Sequence, residues 1–192
     1  MDHNVVLLGF IQGLTEFLPV SSSGHLALAK IFLGVEMPPL SYDLVLHAAT
    51  MAATILFFFN DIIKLFIEWV SGIFSKDKRG LAGWSVGWAV FIGTMVTGGV
   101  GMLIKDFAEE AMMNSLLVGF GLVFTGIVLI SSRFIRKGFG RVSPFDGLMV
   151  GLAQGIAVMP GVSRSGMTMM AGTAAGISRE ELFRFSFLLS IP

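Results

Sequence analysis

The chain has 192 residues, of which 54% are hydrophobic, 24 are glycine and only 14% are charged, against roughly 25% charged in ordinary soluble domains. A mean hydropathy of +0.82 excludes both a cytosolic globule and a disordered chain, and thirteen basic residues cancelled by thirteen acidic ones leave no net field to hold nucleic acid. With no cysteine there is no disulfide framework, thiolate metal site or thiol nucleophile, so any chemistry must use Ser, His, Asp, Glu or Arg.

At the N-terminus, Met1-Asp2-His3-Asn4 lacks the basic region and cleavage site of a signal peptide, so the membrane segments are expected to be internal and retained. Residues 4–35 read as a re-entrant hairpin. A short apolar helix carries Gln12 and Glu16, Pro19 follows, Ser21 to Ser23 are suited to N-capping, and a second short helix covers Leu26 to Val35. A span is expected over about 44–69. Leu44 to Asn60 is uncharged except for His47, read as a packing histidine, and the segment continues past Asp61 and Lys64 toward Trp69.

Leu81 to Ile104 and Ala111 to Ser132 run for 24 and 22 residues without Asp, Glu, Lys, Arg or His. As helices, each crosses a hydrocarbon core of about 30 Å. The expected spans are therefore about 44–69, 81–104 and 111–132, and Gly83 with Gly87 predicts close packing of the second against a neighbour. Residues 146–178 read as a second re-entrant hairpin with its second helix over Met167 to Gly176, and a further span is expected to start near Ser186.

Loop charges orient these segments. Lys76, Lys78 and Arg79 precede the span at 81; Lys105 sits beside Asp106, Glu109 and Glu110; Arg133, Arg136, Lys137 and Arg141 follow the span at 111. That pattern reads as inside, outside, inside, which puts Glu36 to Asp43 on the outer side.

The two hairpins are copies of one sequence. At an offset of 142 without gaps, Gly9, Gln12, Gly13, Val20, Ser21, Ser23 and Gly24 coincide with Gly151, Gln154, Gly155, Val162, Ser163, Ser165 and Gly166. Three spans lie between the copies, so the second starts on the opposite side of the membrane and the repeat is inverted. The expected fold is thus an all-α polytopic membrane protein: residues 1–141 form the first inverted repeat and 142–192 begin the second. The same offset predicts two more spans, so the chain reads as about three spans short of a complete second repeat.

Two helix N-termini facing each other from opposite leaflets bring free backbone amides and positive dipole ends together, which suits phosphate or carboxylate. Arg164 lies in the second break, where an unpaired guanidinium costs about 2.5 to 3.5 kcal/mol or more. Its planar donors suit a phosphate; the alternative is a structural pairing with Glu16. Gln12 and Glu16 are one helical turn apart, as are Ser22 and His25. Ser22 can serve as nucleophile, as phosphate ligand or as a plain N-cap, and His25 as base or general acid.

These residues resemble a known family, the bacterial undecaprenyl-diphosphate phosphatases of the bacitracin-resistance type. Gln12 to Leu26 match its first motif, E/Q-G-x-S/T-E-F-L-P-V/I-S-S-S/T-G-H-L, and Pro160 to Thr168 match its second, P-G-x-S-R-S-G-x-T. The similarity continues through Gly176-Ile-Ser-Arg179 and Phe185-Ser-Phe-Leu-Leu.

The resemblance implies removal of the terminal phosphate of undecaprenyl pyrophosphate, which regenerates the monophosphate lipid carrier for peptidoglycan and other envelope polymers and confers bacitracin resistance. It further implies a plasma-membrane protein with its site open to the outer face and a divalent cation, Mg²⁺ or Ca²⁺, with Glu16 as candidate ligand. Glu16, Ser22, His25 and Arg164 take catalytic places. Gln12, Ser21, Ser23, Ser163, Ser165, Gly166 and Thr168 take phosphate-binding ones. Gln12 stands at the first place of an E/Q-x-x-x-E pair where many members have Glu, which removes one carboxylate. The expected partners are a polyprenyl pyrophosphate lipid and the bilayer, with no nucleic acid, and a homodimer is among the assemblies this reading allows. The competing reading is a lipid-phosphate transporter or flippase using the same anion site, and the last is a purely structural bundle.

Overall fold

In the computed structural model, which describes residues 3–35, 40–136 and 138–192, helices make up most of the chain. They are α1 (His3–Thr15), α2 (Ser22–Leu33), α3 (Leu40–Phe57), α4 (Phe59–Phe74), α5 (Ala82–Met112), α6 (Ser115–Ser132), α7 (Pro144–Ile156), α8 (Arg164–Ala174) and α9 (Arg179–Leu189), with a 3-10 turn at Lys76–Gly80. The described residues contain no strand, only an isolated bridge between Gly140 and Ile177. Met1 and Asp2, residues 36–39 of the expected outer stretch, and Lys137 of the last basic cluster lie outside the described residues.

The helices α5 and α6 are each long and apolar enough to cross a membrane, and α3 with α4 forms a third, bent candidate. The chain is a multi-pass membrane protein. Several boundaries differ from expectation: α2 and α8 start at Ser22 and Arg164, ahead of Leu26 and Met167, and α3 starts at Leu40, ahead of 44. The segment expected over 44–69 is not one rod: α3 and α4 meet at 69°. Phe58, at the junction, leaves helical geometry with φ −94 and ψ 14. Upstream, Thr50 and Thr54 turn their hydroxyls onto the carbonyls of His47 and Thr50 at 2.9 and 3.0 Å, a habit that bends helices.

The expected loop at 105–110 is helical, because α5 runs for 31 residues, about 46 Å. No breaker occurs until Asn114, whose side chain accepts from the amides of Leu116 and Leu117 and starts α6. The last helix begins at Arg179 behind Ser178, rather than near Ser186.

The tightest packing is α7 on α5. Gly147 lies against the Ala89 backbone and Gly151 against the Gly93 backbone, where an added Cβ would sit 2.7 Å from the Gly93 oxygen; Thr97 donates to the Gly151 carbonyl at 3.0 Å. Small residues admit this backbone contact, the main route to helix association in lipid. Gly83 and Gly87 instead receive the Glu68 and Trp69 side chains of α4. Around the α5–α7 contact Ala89, Val142, Val150, Ile177, Leu182, Phe185 and Leu189 form the core.

The helix α6 lies against both sequence copies. Leu122 fills the space over Gly24, while Gly121 meets the Pro160–Gly161 backbone. Thr125 donates to the Gly161 carbonyl at 3.0 Å and accepts from the Ser163 amide at 2.9 Å. Gly161 takes φ +80, open to glycine without steric cost, and that turn brings the second break onto α6.

Candidate functional site

Each sequence copy makes a helix, a break and a second helix: α1, residues 16–21 and α2 in the first, α7, residues 157–163 and α8 in the second. The breaks repeat local chemistry as well as sequence. Ser21 caps α2 by accepting from the Gly24 amide at 3.4 Å, and Ser163 caps α8 by accepting from the Gly166 amide at 3.1 Å. Ser21 and Ser23 hydroxyls lie 3.3 Å apart, as do those of Ser163 and Ser165. One feature is not shared: Ser21 has φ 67, the only positive φ at a non-glycine among the described residues, a conformation held only where its surroundings enforce it.

The breaks meet at Glu16 and Arg164. Arg164 Nη2 donates to Glu16 Oε1 at 2.7 Å, and Nη1 donates to the Ser190 carbonyl at 3.3 Å. Glu16 Oε2 accepts from Ser22 Oγ at 2.5 Å and from Gln12 Nε2 at 3.0 Å. Ser165 ties the breaks together by donating to the Leu18 carbonyl at 3.2 Å. The Glu16 side chain is 14% exposed and that of Arg164 39%, so the guanidinium can reach a ligand while the carboxylate sits behind it.

Both border a cavity of about 500 Å³, within the usual range for small-molecule sites. Of the residues singled out from sequence, Glu16, Ser21, Ser22, Ser23, Ser163, Arg164 and Ser165 line it. Gln12, His25, Gly166 and Thr168 are not among the lining residues. Gln12 acts from behind by bonding Glu16. His25 turns Nδ1 onto the Ser21 carbonyl at 2.8 Å, and the Gly166 amide is taken by its cap. Thr168 is 0% exposed, its hydroxyl 2.5 Å from that of Ser186 and 3.1 Å from the Arg164 and Ser165 carbonyls. It braces α8 against α9.

His47 is the correction to the sequence reading. It is not a mere packing residue: Nδ1 lies 2.9 Å from the Asp43 carbonyl, and Nε2 lies 3.7 Å from Glu16 Oε2 at the cavity wall. Because a carbonyl only accepts, the Nδ1 contact places a proton on that nitrogen and turns Nε2 toward Glu16. A signal was present. Asp43, His47, Thr50 and Thr54 are spaced by four, three and four residues, a polar stripe along one face of an apolar helix. Asp43 at its start is gripped by buried Lys30 of α2, at 2.6 and 2.7 Å.

The donor set bears on metal binding. Among the described residues no three His, Cys, Asp or Glu side chains gather. Glu16 is the one Asp or Glu side chain among the described residues that line the cavity, and its oxygens already accept from a guanidinium, a hydroxyl and an amide. Gln12 presents its amide nitrogen to Glu16; its buried Oε1 is unpartnered. These groups do not fit a divalent cation held by the protein alone, which takes several oxygen ligands.

Comparison with known proteins gives a consistent result. The family model described as bacitracin resistance protein BacA matches residues 5–192. The undecaprenyl-diphosphatase of Methanosphaera stadtmanae is 40% identical, covering 98% of this chain and 72% of its own. That of Corynebacterium diphtheriae is also 40% identical, over 97% and 67%. Undecaprenyl-diphosphatase 2 of Stutzerimonas stutzeri is 39% identical, over 98% and 71%.

Proposed function

This chain belongs to the bacitracin resistance protein BacA family, and from that membership we propose that it is an undecaprenyl-diphosphatase. It is an integral membrane hydrolase that removes the terminal phosphate of undecaprenyl pyrophosphate and returns the monophosphate carrier to cell-wall synthesis. The observation that carries this reading is the convergence of Ser22 and Arg164 on the two oxygens of Glu16 at one cavity. An arginine, a hydroxyl and two helix N-termini suit a transferring phosphoryl group. The alternative, lipid transport without hydrolysis, has no comparable support, since the relatives carry the phosphatase name.

In the proposed reaction the bond between the bridging oxygen and the terminal phosphorus breaks. Arg164 exchanges its ion pair with Glu16 for the phosphoryl oxygens and, with the first amides of α2 and α8, stabilises the charge that develops there. The Ser22 hydroxyl already points its proton at Glu16. Attack by Ser22 on the terminal phosphorus passes that proton to the carboxylate and leaves a phosphoserine that water then cleaves; in the other version Ser22 orients the water. His47, whose Nε2 lies 3.7 Å from Glu16 at the cavity wall, and His25, one turn on from Ser22 but behind the lining, are the imidazoles available to relay the proton onward. Ser21, Ser23, Ser163 and Ser165 offer hydroxyls to the phosphate. Gln12, Gly166 and Thr168 hold the frame behind them. A divalent cation such as Mg²⁺ or Ca²⁺, were the reaction to use one, would have Glu16 as its one acidic side chain in the cavity lining, would need most of its oxygen ligands from elsewhere, and would offset charge on the phosphates.

The two copies act as inverted repeats, 1–141 and the start of a second in 142–192, with re-entrant hairpins over 4–35 and 146–178 and a site open to the outer face of the plasma membrane. The offset of 142, the matched Ser21–Ser23 and Ser163–Ser165 pairs and the basic loops support that arrangement. The deciding experiment is phosphate release from undecaprenyl pyrophosphate by the detergent-purified protein beside Arg164→Ala and Arg164→Lys. Wild-type release, reduced about 10²-fold or more in both variants, is expected. A folded wild-type protein that releases none overturns the assignment.

A further inference from the structure

Ser22 of α2 and His47 of α3 face the same carboxylate oxygen. Ser22 Oγ lies 2.5 Å from Glu16 Oε2 and His47 Nε2 lies 3.7 Å from it, so the setting of α3 against α2 decides whether hydroxyl, carboxylate and imidazole stay in reach of one another. Apolar packing does little to fix that setting. Between Tyr42 and Phe57 the buried residues are Thr50 and Thr54, and no hydrophobic one is buried. Polar ties hold the first turn of α3 instead. Tyr42 Oη donates to the Val5 carbonyl of α1 at 2.7 Å, and Lys30 Nζ of α2 donates to both carboxylate oxygens of Asp43 at 2.7 and 2.6 Å. That ion pair is the one hydrogen-bonded contact between α2 and α3 among the described residues. Neither Lys30 nor Asp43 lines the cavity.

We propose that Lys30 and Asp43 are positioning residues for phosphate release: their ion pair sets α3 against α2 so that His47 meets the Glu16 oxygen to which Ser22 donates. The inference rests on the phosphatase reading and deepens it. The contacts close a ring. Ser22 opens α2 and Lys30 lies in its last turn, about 12 Å further along the axis. Lys30 holds Asp43, the Asp43 carbonyl accepts from His47 Nδ1 at 2.9 Å, and His47 leads back to Glu16 and so to Ser22. Fixing the far side of this ring fixes the near side. Stability alone does not account for a lysine that is 7% exposed on an apolar helix, because apolar residues of similar size commonly serve as well as a buried ion pair. What the pair adds is a contact of set length and direction, which restrains both the separation of the two helices and the rotation of α3 about its axis.

The test is a double-mutant cycle on kcat and KM for phosphate release from undecaprenyl pyrophosphate. Lys30→Met combined with Asp43→Leu removes both charges at once and leaves no unpaired ion; Lys30→Gln combined with Asp43→Asn is a second neutral form, used if the first does not fold. Each is made with His47 present and with His47→Ala, and a Tm in the same detergent shows that the variants are folded. With His47 present, loss of the pair is expected to lower kcat about tenfold and to change KM by less than about twofold. With His47→Ala, the same change is expected to alter kcat by less than about twofold, an outcome that a general weakening of the fold would not produce. An equal loss of kcat in both backgrounds overturns the proposal. So does a kcat unchanged by removing the pair, a His47→Ala protein with wild-type kcat, or failure of both neutral forms to fold, and each of these leaves the phosphatase reading intact. A folded wild-type protein that releases no phosphate overturns that reading, and this proposal with it.

Discussion

Ser22 and Arg164 occupy the same position in the two copies of the repeat, 142 residues apart, and converge on one carboxylate: Ser22 Oγ at 2.5 Å from Glu16 Oε2, Arg164 Nη2 at 2.7 Å from Oε1. The third partner breaks the symmetry as well, since Val158 stands where the repeat would place a second Glu16. Shared positions build the two frames, as the matched serine caps show. The differing positions put one nucleophile candidate, one cation and one carboxylate where the frames meet.

If Ser22 is the nucleophile, Ser22→Ala should lower turnover by about 10³-fold or more, and acid quenching of wild type with labelled lipid should trap a phosphoenzyme absent from the variant. Substantial turnover by Ser22→Ala would instead favour direct attack by water.

The two histidines can be separated. With its Nδ1 held by Asp43 and its Nε2 facing Glu16, His47 should, on replacement by Ala, lose about 10- to 100-fold in kcat with little change in KM. A markedly larger kcat loss in His25→Ala, with His47→Ala near wild type, would return the proton role to the residue one turn from Ser22.

A cation that enters with the diphosphate makes a calorimetric prediction. Mg²⁺ titrated into lipid-free protein should give no measurable binding heat and no shift in Tm, whereas removing it with chelator should suppress turnover. Stoichiometric Mg²⁺ binding to the lipid-free protein, lost in Glu16→Gln, would show that the cavity holds the ion by itself.

Packing of α5 on α7 sets a stability prediction. Gly151→Ala puts a methyl against the Gly93 backbone, which cannot swing aside, and should cost about 1 to 3 kcal/mol, read as a lower Tm in detergent. Gly126→Ala, where nothing lies within 4 Å, is the control and should leave Tm unchanged or slightly raised. Equal effects at both sites would mean that the Gly93–Gly151 contact does not limit stability.

Much of this protein could be read from its sequence because the membrane makes local composition decisive. Uncharged runs long enough to cross the bilayer marked α5 and α6, and the serines at 21–23 and 163–165, behind short apolar runs, marked the two breaks, although α2 and α8 start at Ser22 and Arg164, ahead of the Leu26 and Met167 expected from the apolar runs. Glu16 and Arg164 stood out as charges too costly to be idle in such segments. The elbow at Phe58 was not legible, since no proline or glycine announces it and hydroxyls such as those of Thr50 and Thr54 occur in straight helices as well as bent ones. The place of His47 was hidden as well: the carboxylate it faces lies in the first break, beyond the end of α1, and a lone histidine in an apolar run looks like packing.

Spacing placed Thr168 and Gly166 beside Ser163 and Arg164 but could not say which way α8 faces, and the fold turns Thr168 toward Ser186 and Gly166 toward its own cap. Hydropathy, capping and turn chemistry act over a few residues, so the sequence by itself determined the helices, the two breaks and the residues worth watching. Which of those residues meet depends on how each helix is rotated and crossed. Contacts such as Gly151 on Gly93, Gly121 on Pro160 and Leu122 over Gly24 bring segments far apart in the chain together, and only the tertiary structure decided them.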